Sequence, residues 1–420
     1  MTQTQISARY VSQGLILMML LLFLSLPAAA SDVRKPVVQA QSIEDPSNQG
    51  LAGFYESLTR ASQGEWVSRI SHYGDSHAAA DILTGALRRQ LQLTFGDAGI
   101  GFVIPGQPWL GYSRSGVTSQ ISAGWRIEGL SQSSIALDDR LGIAGVSLST
   151  LSPGEWITLS APGSYFDIYA LKQPGGGSIT VLLDGIERKR NVSLSSRSIE
   201  PIRLEIVSIV DEVHALEIRT TSSGRSKIFG IAIEHNSPGL VYDVFGINGA
   251  RASRPLQWNW RLFARDLEER SPDLIIVAYG SNEVTDADLD IDAYQANFRL
   301  LLNRFQKAVP HASILVIGPP DRAVRTSQGW KTANRMSALV DAQRRAAFAA
   351  GAAFYDLFNA MGGSGSIQRW AYQFPPLAQQ DRVHLTFSGY RLVAEWLYAA
   401  LMTGYLRSDF TSGTTRWNNK

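Results

Sequence analysis

Four short segments of this chain carry residues that together could perform acyl transfer: Gly74-Asp75-Ser76-His77, Gly246-Ile247-Asn248-Gly249-Ala250, Tyr279-Gly280-Ser281-Asn282-Glu283 and Asp381-Arg382-Val383-His384. A serine hydroxyl is a poor nucleophile at neutral pH, so it needs a base, normally a histidine, and a third group to hold that imidazole in the right tautomer. Ser76 offers the hydroxyl, His384 the imidazole and Asp381 a carboxylate. The oxyanion that forms on attack needs N–H donors already in place, and the segments around Gly249 and Asn282 can provide them. Singly, each segment has a plainer reading. Asp and Ser suit turns and caps, Asn282 suits an Asx turn, Gly249 or Gly246 suits a tight turn, and His384 could head a helix beside Thr386 and Ser388. Their shared placement at strand ends sets them apart.

The strands in question are apolar runs at Trp66 to Tyr73, Leu240 to Phe245, Leu274 to Tyr279, Ile314 to Ile317 and Ala353 to Leu357. Helical stretches lie between them near Trp258 to Glu269, Ala293 to Ala308, Ala333 to Ala350 and Tyr390 to Leu401, and Ile82, Leu83, Ala86, Leu87 and Leu91 recur at helical spacing after the serine. Continuous apolar strands alternating with helices predict a parallel sheet covered on both faces, with the site at the carboxyl ends of the strands. From 101 to 235 the texture changes to short alternating runs, such as Ile179 to Leu183 and Leu216 to Thr220, with turn residues at Pro174-Gly175-Gly176-Gly177-Ser178 and Asp184-Gly185. That pattern predicts an antiparallel β-sandwich, and the glycine run joins two strands rather than opening a helix, which argues against a phosphate cradle.

In the order Ser, Gly, Asn, His, the four segments resemble the SGNH hydrolases, also called GDSL-type esterases, over Trp66 to Leu401 apart from the inserted stretch. The resemblance implies an α/β fold: a flavodoxin-like three-layer α/β/α SGNH hydrolase core with a parallel sheet, interrupted by an inserted antiparallel β-sandwich domain. It also implies roles. Ser76 would be the nucleophile, His384 the general base and then acid, and Asp381 the orienting carboxylate. The oxyanion hole would comprise the Ser76 and Gly249 backbone N–H groups and the Asn282 side chain. Glu283 departs from the aspartate more usual after the family asparagine.

With a sandwich between the serine and glycine segments, the arrangement is similar to the peptidoglycan O-acetylesterases, whose insertion is carbohydrate-binding-module-like. This implies a secreted serine carbohydrate esterase that removes O-acetyl groups, from 6-O-acetyl-N-acetylmuramic acid above all, through an acetyl-serine intermediate. An O-acetyltransferase or a GDSL-type lipase or thioesterase would use the same residues, and a non-catalytic glycan-binding protein would use only the insertion. The partner expected is O-acetylated peptidoglycan or another acetylated glycan. The segment Met361-Gly362-Gly363-Ser364-Gly365-Ser366, followed by Trp370, Tyr372 and Phe374, is either an aromatic-bearing loop lining the cleft or a packed surface loop.

Composition narrows the alternatives. With 39 basic and 37 acidic residues among 420, and no Lys/Arg run, the chain does not read as nucleic-acid-binding. It has no cysteine, so there is no disulfide framework, thiolate metal site or lipid-anchored N-terminus. No histidine pair has metal-ligand spacing, and neither a metal nor any other cofactor is expected. Arg9, the apolar run Leu15 to Leu26 and Pro27-Ala28-Ala29-Ala30 read as a signal peptide cut after Ala30, with an uncleaved membrane anchor as the alternative; cleavage predicts a periplasmic or secreted protein with no stable membrane insertion afterwards. The expected organisation is therefore a signal peptide at 1–30, a linker at 31–50, the first part of the catalytic core at 51–100, the insertion at 101–235, the second part of the core at 236–405 and a polar tail at 406–420.

Overall fold

Five strands, buried along nearly their whole length, form the central sheet: β1 (Val67–Gly74), β2 (Gly239–Gly246), β3 (Leu274–Ala278), β4 (Ser313–Ile317) and β5 (Ala353–Tyr355). They are hydrogen-bonded in the order β2-β1-β3-β4-β5 and every pair is parallel. This is the flavodoxin-like order, in which the order of strand addition reverses between β1 and β3 and leaves a crevice at the strand carboxyl ends. The computed structural model describes residues 41–130 and 138–416, with side chains through residue 408. The expected signal segment 1–30 lies outside the described residues.

Helices cover both faces. Helices α1 (Ala52–Ser62), α3 (Leu83–Phe95) and α8 (Phe387–Arg416) pack together on one side, and α4 (Trp260–Arg270), α5 (Ile291–Ala308) and α6 (Met336–Ala349) on the other. Alternation along β1 serves both layers. The Tyr73 ring meets Phe245, Phe263 and Phe305, while the next side chain, His72, bonds the Tyr242 hydroxyl at 2.9 Å. Helix starts follow side-chain chemistry: Asn259 accepts from the Leu262 N–H, and Asp290 from the Asp292 and Ala293 N–H groups. Among the described residues no helix is long and apolar enough to cross a membrane.

The insertion follows α3, between β1 and β2. Among the described residues it has nine strands, which run from Gly101–Val103 to Ser226–Glu234 in antiparallel pairs. Hydrogen bonding is continuous through all nine, because two long strands, Trp156–Lys172 and Glu200–Ser222, serve both halves. The two halves meet where the register breaks between Gly163 and Tyr165. The Asp184-Gly185 turn has φ of 54° and 75° and joins Ser178–Leu183 to Ile186–Ser193, a two-residue hairpin whose positive φ values these residue types tolerate.

Two expected boundaries differ from the structure. The described end of the segment read as a linker is not loose. Glu44 exchanges backbone hydrogen bonds of 2.8 and 2.9 Å with Phe354 of β5, and its carboxylate reaches Arg344 of α6 at 3.0 Å. It thus covers the free edge of the sheet, where unpaired backbone groups would otherwise face water. At the other end α8 continues through Arg416, past the expected start of a tail at 406. Tyr405 explains part of this, since its ring packs against Tyr55 and Phe95 and extends the buried face of the helix.

Candidate active site

The serine turn is short because both of its flanks are pinned. β1 ends at Gly74, Asp75 adopts extended backbone and caps the following turn by accepting the His77 N–H at 3.0 Å, and Ser76 opens the one-turn helix α2 (Ser76–Ala79). The first N–H groups of a helix have no intrahelical acceptor, so the Ser76 N–H is left free of the helix's own hydrogen-bond ladder. Gly74 is needed at the strand end, because a Cβ there would lie 2.9 Å from the Ala278 carbonyl of β3.

The Ser76 hydroxyl and His384 Nε2 are 3.0 Å apart, although 308 residues separate them. On the far side of the ring, His384 Nδ1 lies 2.7 Å from Asp381 Oδ2. The other carboxylate oxygen, Oδ1, accepts the Val383 and His384 backbone N–H groups at 2.9 and 3.0 Å. Partial burial pushes the Asp381 carboxyl up, but the His384 hydrogen bond and the two backbone N–H groups outweigh it and hold its pKa below the ordinary value. The carboxylate is therefore ionised at neutral pH and can hold the Nδ1 proton, leaving the Nε2 lone pair aimed at Ser76.

Gly249 and Asn282 arrive from the ends of β2 and β3, on either side of β1. Gly249 has φ of 72°, and no atom lies within 4 Å of where its Cβ would be. Gly246, the competing choice, is a packing glycine, since a Cβ there would sit 2.6 Å from the Ala79 nitrogen. The Asn282 carboxamide donates from Nδ2 to the Ala250 carbonyl at 2.9 Å, and one Nδ2 hydrogen remains for another acceptor. Glu283, the departure from the family pattern, accepts the Ala252 N–H at 2.7 Å and so stitches the glycine turn to the asparagine turn. Burial pushes its carboxyl up to about 7.

The structure thus brings Ser76, His384 and Asp381 into one hydrogen-bonded relay and places Gly249 and Asn282 at the adjoining strand ends. It also gives surroundings to two residues of the serine segment for which the sequence suggested no role. Asp75 is buried, and its carboxyl is pushed up to about 6. The His77 ring packs 5.6 Å from that of His384 and bonds the Tyr390 hydroxyl at 3.0 Å; burial first, then the charges of His384 and Arg322, push its pKa down to about 3. A neutral ring beside His384 adds no standing charge there. Asp81, five residues beyond the nucleophile, is paired with Arg88 and Arg114. The segment 361–374 is not an open loop. Ser366–Tyr372 is helical, and of the segment's three aromatic side chains Trp370 is buried against Trp396 while Tyr372 and Phe374 are exposed.

A flavodoxin-like sheet with a Ser–His–Asp relay at the strand carboxyl ends defines a serine hydrolase of the SGNH type. Residues 209–392 match the GDSL-like lipase/acylhydrolase family, and the 3.0 Å contact of Ser76 with His384 ties the serine, which lies outside that range, to it. The chain carries a GDSL-like lipase/acylhydrolase domain and is an esterase. Among solved structures, a peptidoglycan O-acetylesterase is 26% identical and covers 87% of this chain and 99% of its own, with a TM-score of 0.73. A family two carbohydrate esterase from Cellvibrio japonicus is 12% identical, covering 69% of this chain and 98% of its own with a TM-score of 0.27. No curated protein matches the chain.

Proposed function

We propose that the protein is a secreted carbohydrate O-acetylesterase. Ser76 Oγ attacks the acetyl carbonyl while His384 Nε2 takes its proton, and Asp381 holds the imidazolium that results. The negative oxygen is received by the Ser76 and Gly249 N–H groups and by Asn282 Nδ2. Collapse expels the sugar alkoxide, to which His384 returns the proton, leaving acetyl-Ser76. His384 then deprotonates a water that attacks the same carbonyl, and acetate departs as the serine is restored. The observation that carries this reading is the relay itself, with its 3.0 and 2.7 Å contacts.

For the substrate we propose O-acetylated peptidoglycan, with 6-O-acetyl-N-acetylmuramic acid as the acetylated sugar. The likeness to a peptidoglycan O-acetylesterase across 87% of this chain supports that choice, as do the sequence features that predict export. The test is acetate released from O-acetylated peptidoglycan by the chain beginning at Ser31, beside Ser76→Ala and a chromogenic acetyl ester. Release that disappears in the variant supports the whole reading. Hydrolysis of the chromogenic ester alone retains the mechanism and rejects the substrate, and failure on both rejects the reading.

A further inference from the structure

The oxyanion role of Asn282 depends on which end of its carboxamide faces the reaction, because a flipped amide would present oxygen to a developing oxygen anion. One end is set by the Ala250 carbonyl, which can accept only from Nδ2. The other end meets Arg322, whose Nη1 lies 3.4 Å from Asn282 Oδ1 and also donates to the Ser281 carbonyl. A guanidinium has donors and no acceptors, so it selects the oxygen end of the amide.

Arg322 is itself firmly held. On one side is Asp321, fully buried, whose carboxylate takes the Thr332 hydroxyl at 2.8 Å and the Ile367 N–H at 3.1 Å. On the other is Ala323, whose N–H donates to the Arg382 carbonyl at 3.0 Å, within the turn that carries Asp381 and His384. Arg322 thus stands between the base turn and the asparagine turn, pinned to the first through its neighbour and to the second through its side chain.

We propose that Arg322 is a positioning residue, which acts through Asn282 by fixing the carboxamide with Nδ2 toward the oxyanion. The inference rests on the oxyanion role proposed above for Asn282. The test is a double-variant cycle of Arg322→Ala and Asn282→Ala on a chromogenic acetyl ester, with kcat and KM separated and thermal midpoints recorded. Arg322→Ala is expected to lower kcat about tenfold with KM little changed, the scale of one charge-assisted hydrogen bond. Added to Asn282→Ala it should cost nothing further, because the amide it orients is gone. Arg322→Lys, which keeps a donor but not the planar fork, should fall between wild type and Arg322→Ala, and it carries the same comparison if the alanine variant does not fold.

Losses that multiply in the double variant, or a rise in KM alone, would overturn the proposal by showing that Arg322 acts independently of Asn282. If Asn282→Ala leaves kcat intact while Ser76→Ala abolishes it, the oxyanion assignment fails, and this proposal with it. If Asn282→Ala is slow but Arg322→Ala is not, this proposal alone fails.

Discussion

Replacing Asp381 by asparagine should be more damaging than replacing it by alanine, and the hydrogen bonds around that carboxylate say why. Oδ1 accepts two backbone N–H groups, from Val383 and His384, while Oδ2 takes His384 Nδ1. In Asp381→Asn the two backbone donors hold the amide oxygen at the Oδ1 position, so the amide NH2 is turned toward Nδ1. The imidazole must then accept at Nδ1 and carry its proton on Nε2, where it cannot serve Ser76 as a base. Two backbone hydrogen bonds at about 1 kcal/mol each favour this wrong arrangement by about 2 kcal/mol, or about thirtyfold. Loss of the carboxylate adds about fivefold, a modest figure suited to a solvent-exposed pair worth about 1 kcal/mol, since the His384 and Asp381 side chains are 36% and 43% exposed.

The expected drop in kcat/KM for Asp381→Asn is therefore on the order of a hundredfold. Asp381→Ala loses the same carboxylate but admits water to Nδ1, so only the loss of about fivefold, about 1 kcal/mol, is expected. The assay is steady-state hydrolysis of a chromogenic acetyl ester, with circular dichroism as a check that both variants fold. An asparagine variant as active as the alanine variant, or more active, would refute the argument.

Glu283 gives a pH prediction of definite sign. Its pKa is raised from 4.5 to about 7 in the fold, so between those values the native state binds a proton that the unfolded chain does not, and stability falls as pH rises through that window. Glu283→Gln keeps an acceptor for the Ala252 N–H and removes the charge; it should raise the thermal midpoint at pH 8 and flatten the profile from 4.5 to 7, and an unchanged calorimetric profile would count against it. Gly249→Ala should cost about 1 kcal/mol because of its 72° φ, with no steric clash; kcat should fall more than stability, which a comparison of kinetics with urea midpoints checks. Arg382 donates to the Gln380 carbonyl at 2.6 Å and packs over Tyr372 at 4.8 Å. Arg382→Ala should destabilise by about 2 kcal/mol and lower kcat by loosening the turn that carries His384, and wild-type kinetics and melting would contradict this.

Much of the core was legible because strand burial and apolar sequence coincide in a parallel sheet. The run Leu274 to Tyr279 became a strand at Leu274–Ala278, and Ile314 to Ile317 one at Ser313–Ile317. The same logic placed Ser76, Gly249 and Asn282 at strand ends, since a turn residue that follows an apolar run has nowhere else to be. The two segments that departed from expectation, 44–50 and 406–416, are held by distant partners, Phe354 and Tyr55 among them. Local composition carries no trace of such contacts.

Residue types alone determined that this chain can make a nucleophile, a base and two kinds of oxyanion donor, and that parallel strands would carry them. The tertiary structure decided that Ser76 and His384 lie 3.0 Å apart, that Gly249 rather than Gly246 stands clear of neighbouring atoms, and that Arg322 reaches the oxygen end of Asn282. The division has a physical cause. Strand and turn preferences are properties of neighbouring residues, whereas the direction of an amide or an imidazole is set by donors and acceptors that only folding brings within hydrogen-bonding distance.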